Sequence, residues 1–402
     1  MPIERVVIEN FKAFGHLDLP LNPHMNLIVG NNEVGKSTLL EAIHAVVTGQ
    51  LHGRGIAYEI TPYLFHQPAV DEYLARLRDG QPGSPPRIVI EAYLGRDATL
   101  ASLRGTNNSL GADMAGIRLL IELNEDYRPE FDAYLREHQG GSLPVEYYTV
   151  RWYSFANNGV TARSIPFDST IIDTTSAKTF SGTDRYIGSI IDQVLSPAQR
   201  VALSLSYRRM RQSFSQETDV AAINTFLAEN AGDVSNKTLT VGVDTSARST
   251  WEASLSPYLD DLPFTHAGKG EQSAVKMKLA MRAAGAAHVL LVEEPENHLS
   301  FSSMTQLIDK IAALSTAQQV IIATHSSFVL NKLGVDNVIL FSARGHIKLD
   351  QLPTDTHDYF MKLPGHDTLR LILAKQAILV EGPSDELIVQ RDFNDHHGVS
   401  PL

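Results

Sequence analysis

The 402-residue chain contains no cysteine. That excludes a disulfide framework, thiolate-ligated zinc, a cysteine-held iron–sulfur cluster and a cysteine nucleophile. No apolar run approaches the roughly 18 residues of a membrane span, and the opening MPIERVVIENF lacks a basic-then-apolar signal layout. The expected location is therefore cytoplasmic, with no membrane partner. No heptad pattern is sustained, and there is no internal repeat or low-complexity tract, so a long coiled-coil arm is not expected. Histidine is frequent at 15, yet no H-E-x-x-H pair occurs to hold zinc, and no G-x-S-x-G elbow supports a serine hydrolase. Positive charge is in deficit: 34 Lys+Arg face 46 Asp+Glu, a net charge of −12. That argues against a general nucleic-acid coat and leaves room only for a local basic groove. What remains is an ordinary globular composition, 43% apolar and 20% charged, long enough for about two or three domains.

Along the chain, Ile3–Ile8 alternates like a strand, and the apolar run Met25–Val29 leads into a glycine-rich turn. Beyond the turn, Leu39, Leu40, Ile43, Val46 and Val47 fall at helical spacing within Ser37–Val47. Residues 79–87, DGQPGSPPR, read as an exposed loop, and strand-like runs follow at Arg87–Leu94, Ile117–Leu123 and Val145–Phe155. From about Ser164 to Asn230 the pattern turns helical, notably over Arg200–Phe214 and Val220–Glu229. Alternation then resumes: a strand at Thr238–Val243, a helix at Gln272–Ala284, and a strand at His288–Val292. A helix at Ser302–Leu314 and a strand at Gln319–Ala323 complete it. Such alternation predicts an α/β fold with a parallel sheet covered on both faces.

Gly30-Asn31-Asn32-Glu33-Val34-Gly35-Lys36-Ser37, followed by Thr38, fits the phosphate-binding pattern G-x-x-x-x-G-K-[ST], with a strand before it and a helix after it. The glycines let backbone N–H groups turn inward around phosphate oxygens, and the helix N-terminus adds its positive end. Lys36 is placed to reach the β- and γ-phosphates and Ser37 to hold Mg²⁺. The second half of an ATP site needs an apolar strand ending in acids, and His288 to Glu296 supplies one. Glu293 is placed to hold the Mg²⁺ shell and Glu294 to polarise the attacking water. Glutamate at 293, where aspartate is usual, has a longer reach. The strand Val320–Ala323 ends in Thr324-His325-Ser326, where His325 is placed to sense or stabilise the γ-phosphate. A further glycine-rich loop, Gly268-Lys269-Gly270-Glu271-Gln272, precedes a helix but lacks the last glycine and the preceding strand of a dinucleotide fingerprint.

In this order, I-x-x-F-K-A-F-G-H-L-D-L-P-L, G-N-N-E-V-G-K-S-T, G-K-G-E-Q, L-L-V-E-E-P-E-N-H-L-S and A-T-H-S-S resemble ABC-type ATPase heads of the RecF/SMC class. The E-E-P-E-x-H-L and G-x-G-x-Q versions look most like the OLD family of ATPase–nucleases and its phage-defence relatives. The resemblance implies that Gly270 and Gln272 belong to a signature loop completing a partner subunit's ATP site. It also implies that His325 is the switch histidine and that ATP is sandwiched between two heads of a homodimer or higher homo-oligomer. A Q-loop glutamine is implied too; Gln67 is a candidate beside the reading of an ordinary loop glutamine. Residues from about 95 to 260 carry no matching motif.

The wide separation of Lys36 and Glu293 makes the helical block an insertion on the head. In the resembled family that region supports dimerisation; a helical layer packed on the sheet is the alternative. Arg208, Arg209 and Arg211 form its densest basic cluster, read either as a DNA-phosphate contact or as a solvated helix face. Near the end, Ala377–Val380 is an apolar run followed by Glu381-Gly382-Pro383-Ser384-Asp385. This resembles the first motif of a TOPRIM nuclease domain, with Glu381 and Asp385 as metal-binding carboxylates, or Glu381 as a general base. Too few residues follow for such a domain to close, so self-sufficient nuclease activity is not expected of these residues.

The expected fold class is thus α/β: a P-loop NTPase, ABC-type head with an inserted helical region and an incomplete TOPRIM-like segment. The expected layout is residues 1–163 for the first part of the head and 164–236 for the insertion. Residues 237–370 are the second part of the head, and 371–402 the start of the TOPRIM-like segment. The expected function is ATP hydrolysis with ATP and Mg²⁺, coupled to DNA handling or control of a nuclease. The alternatives are an ATP-gated scaffold that binds an effector protein with little turnover, and part of an ATP-regulated DNA endonuclease.

Overall fold

A computed structural model of the chain describes residues 2–31, 33–81, 83–137, 142–162, 164–173, 195–230, 258–268, 270–272, 287–297, 300–342, 345–349 and 380–397, with single positions 241, 275, 353, 355 and 378. The chain opens with an antiparallel hairpin of β1 (Ile3–Phe11) and β2 (Phe14–Pro20), turned at Lys12, whose φ is 46°. Next, β3 (Met25–Gly30) is buried at every residue and delivers the chain to the phosphate-binding loop and α1 (Lys36–Thr48). Two short strands, β4 (Gln50–Leu51) and β5 (Arg54–Gly55), and helix α2 (Gln67–Arg78) follow. Then come β6 (Ile88–Leu94), β7 (Arg104–Gly105), β8 (Met114–Leu123), α3 (Arg128–Glu137) and β9 (Tyr148–Ser154).

Apart from the β4–β5 pair, these strands belong to two large sheets. The described strands of the first sheet run β2-β1-β6-β8-β7, with β9 also on β8, all antiparallel. Of the strands up to β9, the second sheet takes only β3. Its other members are β10 (Ser169–Asp173) and β13 (Val289–Glu293), which follows the small β11 (Tyr258–Leu259) and β12 (Leu262–Pro263) hairpin, then β14 (Gln319–Thr324), β15 (Val338–Ser342) and β16 (Gly345–Lys348). Its order is β10-β13-β14-β3-β15-β16, parallel except for the antiparallel last pair. The parallel sheet expected from the strand–helix alternation is thus present, and an antiparallel sheet not anticipated in the sequence lies beside it. In the antiparallel layer, β1, β2 and β9 mix polar with apolar residues around the more apolar β6 and β8, and β6 is buried at every residue; β3, β13 and β14 carry apolar runs suited to burial on both faces.

Helix α1 lies between the two sheets and contacts strands of both. Leu39, Leu40, Ile43 and Val46 are fully buried in a core shared with β1, β6, β8 and β13. Each such side chain stabilises the fold by roughly 1.5–3 kcal/mol, an upper figure because unfolded chains already bury some surface. The helix stops at Gly49, left-handed at φ 68°, with Trp152 of β9 stacked over it and donating its indole N–H to Val46 O at 2.9 Å. His44 Nδ1 meets Ser169 Oγ at 3.0 Å in the interior and so fixes α1 to β10. The sheets are also tied directly: the Gln319 side chain accepts from Ile3 N–H at 2.8 Å and donates to Ile3 O and Asn22 O, each at 2.8 Å. The phosphate loop therefore starts from a helix clamped on two sides.

The remaining described helices are α4 (Pro197–Ser215), α5 (Thr218–Asn230), α6 (Phe301–Leu314), α7 (Ser327–Leu333) and α8 (Pro383–His397). Helices at 197–215 and 218–230 agree with the helical reading of that block, and a Ser196–Gln199 capping box fixes its start. Ser169–Asp173 does not: it is an edge strand of the parallel sheet inside the stretch expected to be helical. Val145–Tyr147 is a 3₁₀ turn before β9 rather than the start of a strand. The expected strand Thr238–Val243 and most of the expected helix Gln272–Ala284 lie outside the described residues. No helix among the described residues is long and apolar enough to cross a membrane.

Candidate functional site

The carboxyl ends of β3, β14 and β13 lie side by side, with Val29 opposite Thr324 and Ala323 opposite Glu293. A parallel sheet offers its ligand site at that edge. Gly30 ends β3 in register with Phe341 of β15, and a Cβ there would sit 2.5 Å from Phe341 O and 2.9 Å from Val34 Cγ2. Only glycine lets the loop leave the sheet at this point. Glu33 and Gly35 are left-handed, at φ 67° and 97°, and fold the loop back so that Gly35 becomes the N-cap of α1. No side chain caps that terminus, leaving its first N–H groups for a ligand. Asn32 lies outside the described residues; Asn31 is exposed.

Lys36 is buried, and its Nζ donates to Gly30 O at 2.9 Å and Asn31 O at 2.8 Å. Burial pushes its pKa below 10.5, and Glu294, Glu293 and Glu296 oppose that shift by favouring the charged form. The cation thus holds the loop closed on itself. Ser37 donates its hydroxyl to Glu293 Oε1, which joins the first helical turn to the end of β13. Glu294 is left-handed at φ 43°, and its N–H donates to Ala323 O at 2.8 Å. Its carboxylate is held on both oxygens, by His325 Nε2 at 3.4 Å from Oε1 and by Asn297 Nδ2 at 2.5 Å from Oε2. Glu296 Oε1 accepts from the Thr324 hydroxyl at 2.8 Å and from His325 N–H at 3.0 Å. Ala13, Glu33, Gly35, Lys36, Ser37, Thr38, Glu294 and His325 line an open cleft of about 530 Å³.

Burial, then the Lys36 charge, lower the His325 pKa below 6.5, and Glu294 and Glu296 only partly offset this. At neutral pH the imidazole is neutral, so its 3.4 Å approach to Glu294 is a contact of an uncharged ring rather than an ion pair. The folded protein takes up this proton less readily than the unfolded chain. As pH falls below 6.5 the unfolded state protonates first, and stability is lost down to the lowered folded pKa. A His325→Gln protein should lack this component. Between pH 7.5 and 5.5 the wild type should therefore lose more melting temperature than the variant; equal losses in parallel thermal melts would show that His325 is not held neutral.

The structure thus brings together Lys36, Ser37, Thr38, Glu293, Glu294 and His325, with Gly30, Asn31, Glu33, Val34 and Gly35 forming the loop. It does not bring in Gln67, which starts α2 and donates its amide to Pro62 O at 2.9 Å and Phe65 O at 3.0 Å. Gly270 and Gln272 do not line this cleft; Gln272 donates its side-chain amide to Ala267 O at 2.8 Å. Glu381 and Asp385 meet each other, Glu381 N–H donating to Asp385 Oδ2 at 3.3 Å at the start of α8. Among the described residues no group of three His, Cys, Asp or Glu is placed to hold a metal. Glu296 and Asn297 went unassigned in the sequence, where only their place in an acidic turn after an apolar strand marks them.

Two family profiles match the chain. One, described as "AAA domain", covers residues 5–80 with the phosphate loop. The other, "AAA domain, putative AbiEii toxin, Type IV TA system", covers residues 197–331 with the acidic strand end and the histidine. Together these segments carry an AAA/ABC-type P-loop ATPase domain. It is related to RecF: the "DNA replication and repair protein RecF" of Actinobacillus pleuropneumoniae is 43% identical over 82 residues, 20% of this chain and 22% of that protein. RecF of Thioalkalivibrio sulfidiphilus is 30% identical over 115 residues, 29% of this chain and 31% of that protein. The match therefore spans well under half the length of these relatives. Among solved structures, the SMC head domain from Thermotoga maritima overlaps 85% of this chain and 94% of its own at 14% identity, with a TM-score of 0.38.

Proposed function

We propose that the chain is a Mg²⁺-dependent ATPase working as a dimer of ABC-type heads, of the OLD family, which couples its cycle to DNA processing or to control of a TOPRIM nuclease in phage defence. The observation that carries the ATPase reading is the meeting of Lys36, Ser37, Glu293, Glu294 and His325 at one cleft. Lys36 and the N–H groups at the start of α1 bind the phosphates. Glu294 orients a water and accepts its proton as the water oxygen attacks the γ-phosphorus and ADP leaves. His325, neutral and beside Glu294, has a single N–H, which it turns from that carboxylate toward the γ-phosphate when ATP is bound.

One lysine among Glu33, Glu293, Glu294 and Glu296 cannot balance a triphosphate, so the cleft calls for a cation as well. Ser37 and Glu293 are hard oxygen donors in direct contact, a fit for Mg²⁺, which takes few protein ligands and completes its shell with water and phosphate. When bound there, the ion neutralises the phosphate oxygens. Gly270, exposed, and Gln272, half-buried, stand at a helix start outside the lining of their own cleft and would serve a second copy's ATP. Support for DNA comes from the RecF likeness and from the exposed Arg208 and Arg209 on α4.

Phosphate release from ATP by the purified chain, with Mg²⁺ and with or without DNA, tests this. Ser37→Ala should slow turnover about tenfold, the effect of one lost metal contact of roughly 1.4 kcal/mol. ATP binding without any phosphate release under all these conditions would replace the ATPase by the scaffold reading.

A further inference from the structure

The chemistry above leaves Glu296 without a part, yet its surroundings are unusual. Glu296 Oε1 accepts from both the Thr324 hydroxyl and the His325 N–H, at 2.8 and 3.0 Å. Its Oε2 is buried and has no hydrogen-bond partner among the described residues. A carboxylate left half-satisfied in the interior is a costly fastener, since a bare buried acceptor forfeits its water. What it fastens explains the arrangement. Thr324 and His325 are the corner from which the imidazole reaches Glu294, and Thr324 in turn accepts from Ser326 N–H at 2.9 Å. The turn carrying Glu296 is itself anchored, by Glu294 N–H on Ala323 O and Asn297 N–H on Glu294 O at 3.1 Å. A rigid turn thus reaches across from β13 and sets where β14 releases its histidine.

We propose that Glu296 is a positioning residue for ATP hydrolysis, seating the Thr324–His325 corner so that the imidazole meets Glu294 at the cleft. The inference rests on the ATPase reading, and it assigns Glu296 no contact with ATP. Its two hydrogen bonds do the seating, so a neutral acceptor of the same shape should do nearly as well.

The test is steady-state ATP hydrolysis by the full chain, with ATP affinity measured separately and melting temperature as a check on folding. Glu296→Ala should lower kcat about 30-fold, in line with the cost of a small misplacement near the reacting groups, while KM stays within about twofold. Glu296→Gln should recover activity to within about threefold, because its amide oxygen accepts from the same two donors. In a His325→Ala background, Glu296→Ala should add no further loss, since the two residues act as one unit. Wild-type kcat in Glu296→Ala, a Glu296→Gln protein as slow as the alanine variant, or losses that multiply in the double variant would each overturn the proposal. Should Glu296→Ala fail to fold, Thr324→Val together with Glu296→Gln carries the test. The valine should lower kcat by about fivefold through loss of the hydroxyl that donates to Glu296 and accepts from Ser326 N–H, and an unchanged kcat would refute the role. A wild type that releases no phosphate sinks the ATPase reading and this one together; an active wild type with an indifferent Glu296→Ala sinks only this one.

Discussion

A Glu294→Gln protein should bind ATP like the wild type and turn it over about 10³-fold more slowly, the midrange of what a positioned general base contributes. The substitution is nearly isosteric and sits where the fold tolerates it. The left-handed backbone at φ 43° is set by Glu294 N–H on Ala323 O, which the change does not touch. One side-chain oxygen remains to accept from Asn297 or His325. Lost is the negative charge that takes the water's proton, and with it one of the charges that keep Lys36 protonated against burial. Single-turnover phosphate release beside an ATP-binding titration separates the two effects. If the proposal of a head-to-head dimer holds, the same variant should stay dimeric in ATP on size exclusion, since its nucleotide persists. Turnover at the wild-type rate would remove Glu294 from catalysis, whatever the binding result.

The parts of this site that were legible in the sequence are those whose chemistry imposes spacing. Gly30, Gly35, Lys36 and Ser37 stand at fixed intervals because one loop must turn, present N–H groups and start a helix within eight residues, and the helix indeed begins at Lys36. Glu293 was legible because it ends the apolar run Val289–Val292, and His325 because it follows the run Val320–Ala323 and Thr324; polar residues at the carboxyl ends of parallel strands stand at the edge where such sheets take ligands. Glu296 and Asn297 were not legible, because in one sequence nothing separates a glutamate that binds a neighbouring strand from one that faces water. Their roles depend on β14 lying beside β13, a pairing between segments far apart in the chain. The same limit hid the two-sheet architecture. Alternation in Ile3–Ile8 or Arg87–Leu94 announces strands but not their partners, and β3 leaves its sequence neighbours to pair with β14 and β15. Ser169–Asp173 is five residues long and, among the described residues, pairs with β13 alone, too short for a period to declare itself before the helical pattern takes over.

The clamped position of α1 also decides what the loop cannot tolerate. Gly35→Ala should weaken ATP binding about 100-fold, roughly 2.7 kcal/mol, while leaving the two-sheet fold intact. Two costs combine. At φ 97° an alanine is held in left-handed backbone, worth about 1–2 kcal/mol for an L-residue. The added Cβ would also lie 2.6 Å from Phe14 Cζ and 3.2 Å from Ala13 Cβ. Phe14 has little room to yield: it is buried, in register with Phe11 across the hairpin and edge-on to Phe341 at 6.1 Å. Relief must therefore come from the loop, whose shift would move the first N–H groups of α1 and the Lys36 ammonium off the phosphate positions. Gly80→Ala is the control, for Gly80 is left-handed at φ 69° and an added methyl group would have nothing within 4 Å. It should cost about 1 kcal/mol of stability and leave ATP affinity unchanged. Equal affinities in Gly35→Ala and wild type would mean that the loop reaches ATP in a shape different from the one held here by Lys36 on Gly30 and Asn31. An affinity loss shared by Gly80→Ala would trace it to general destabilisation instead.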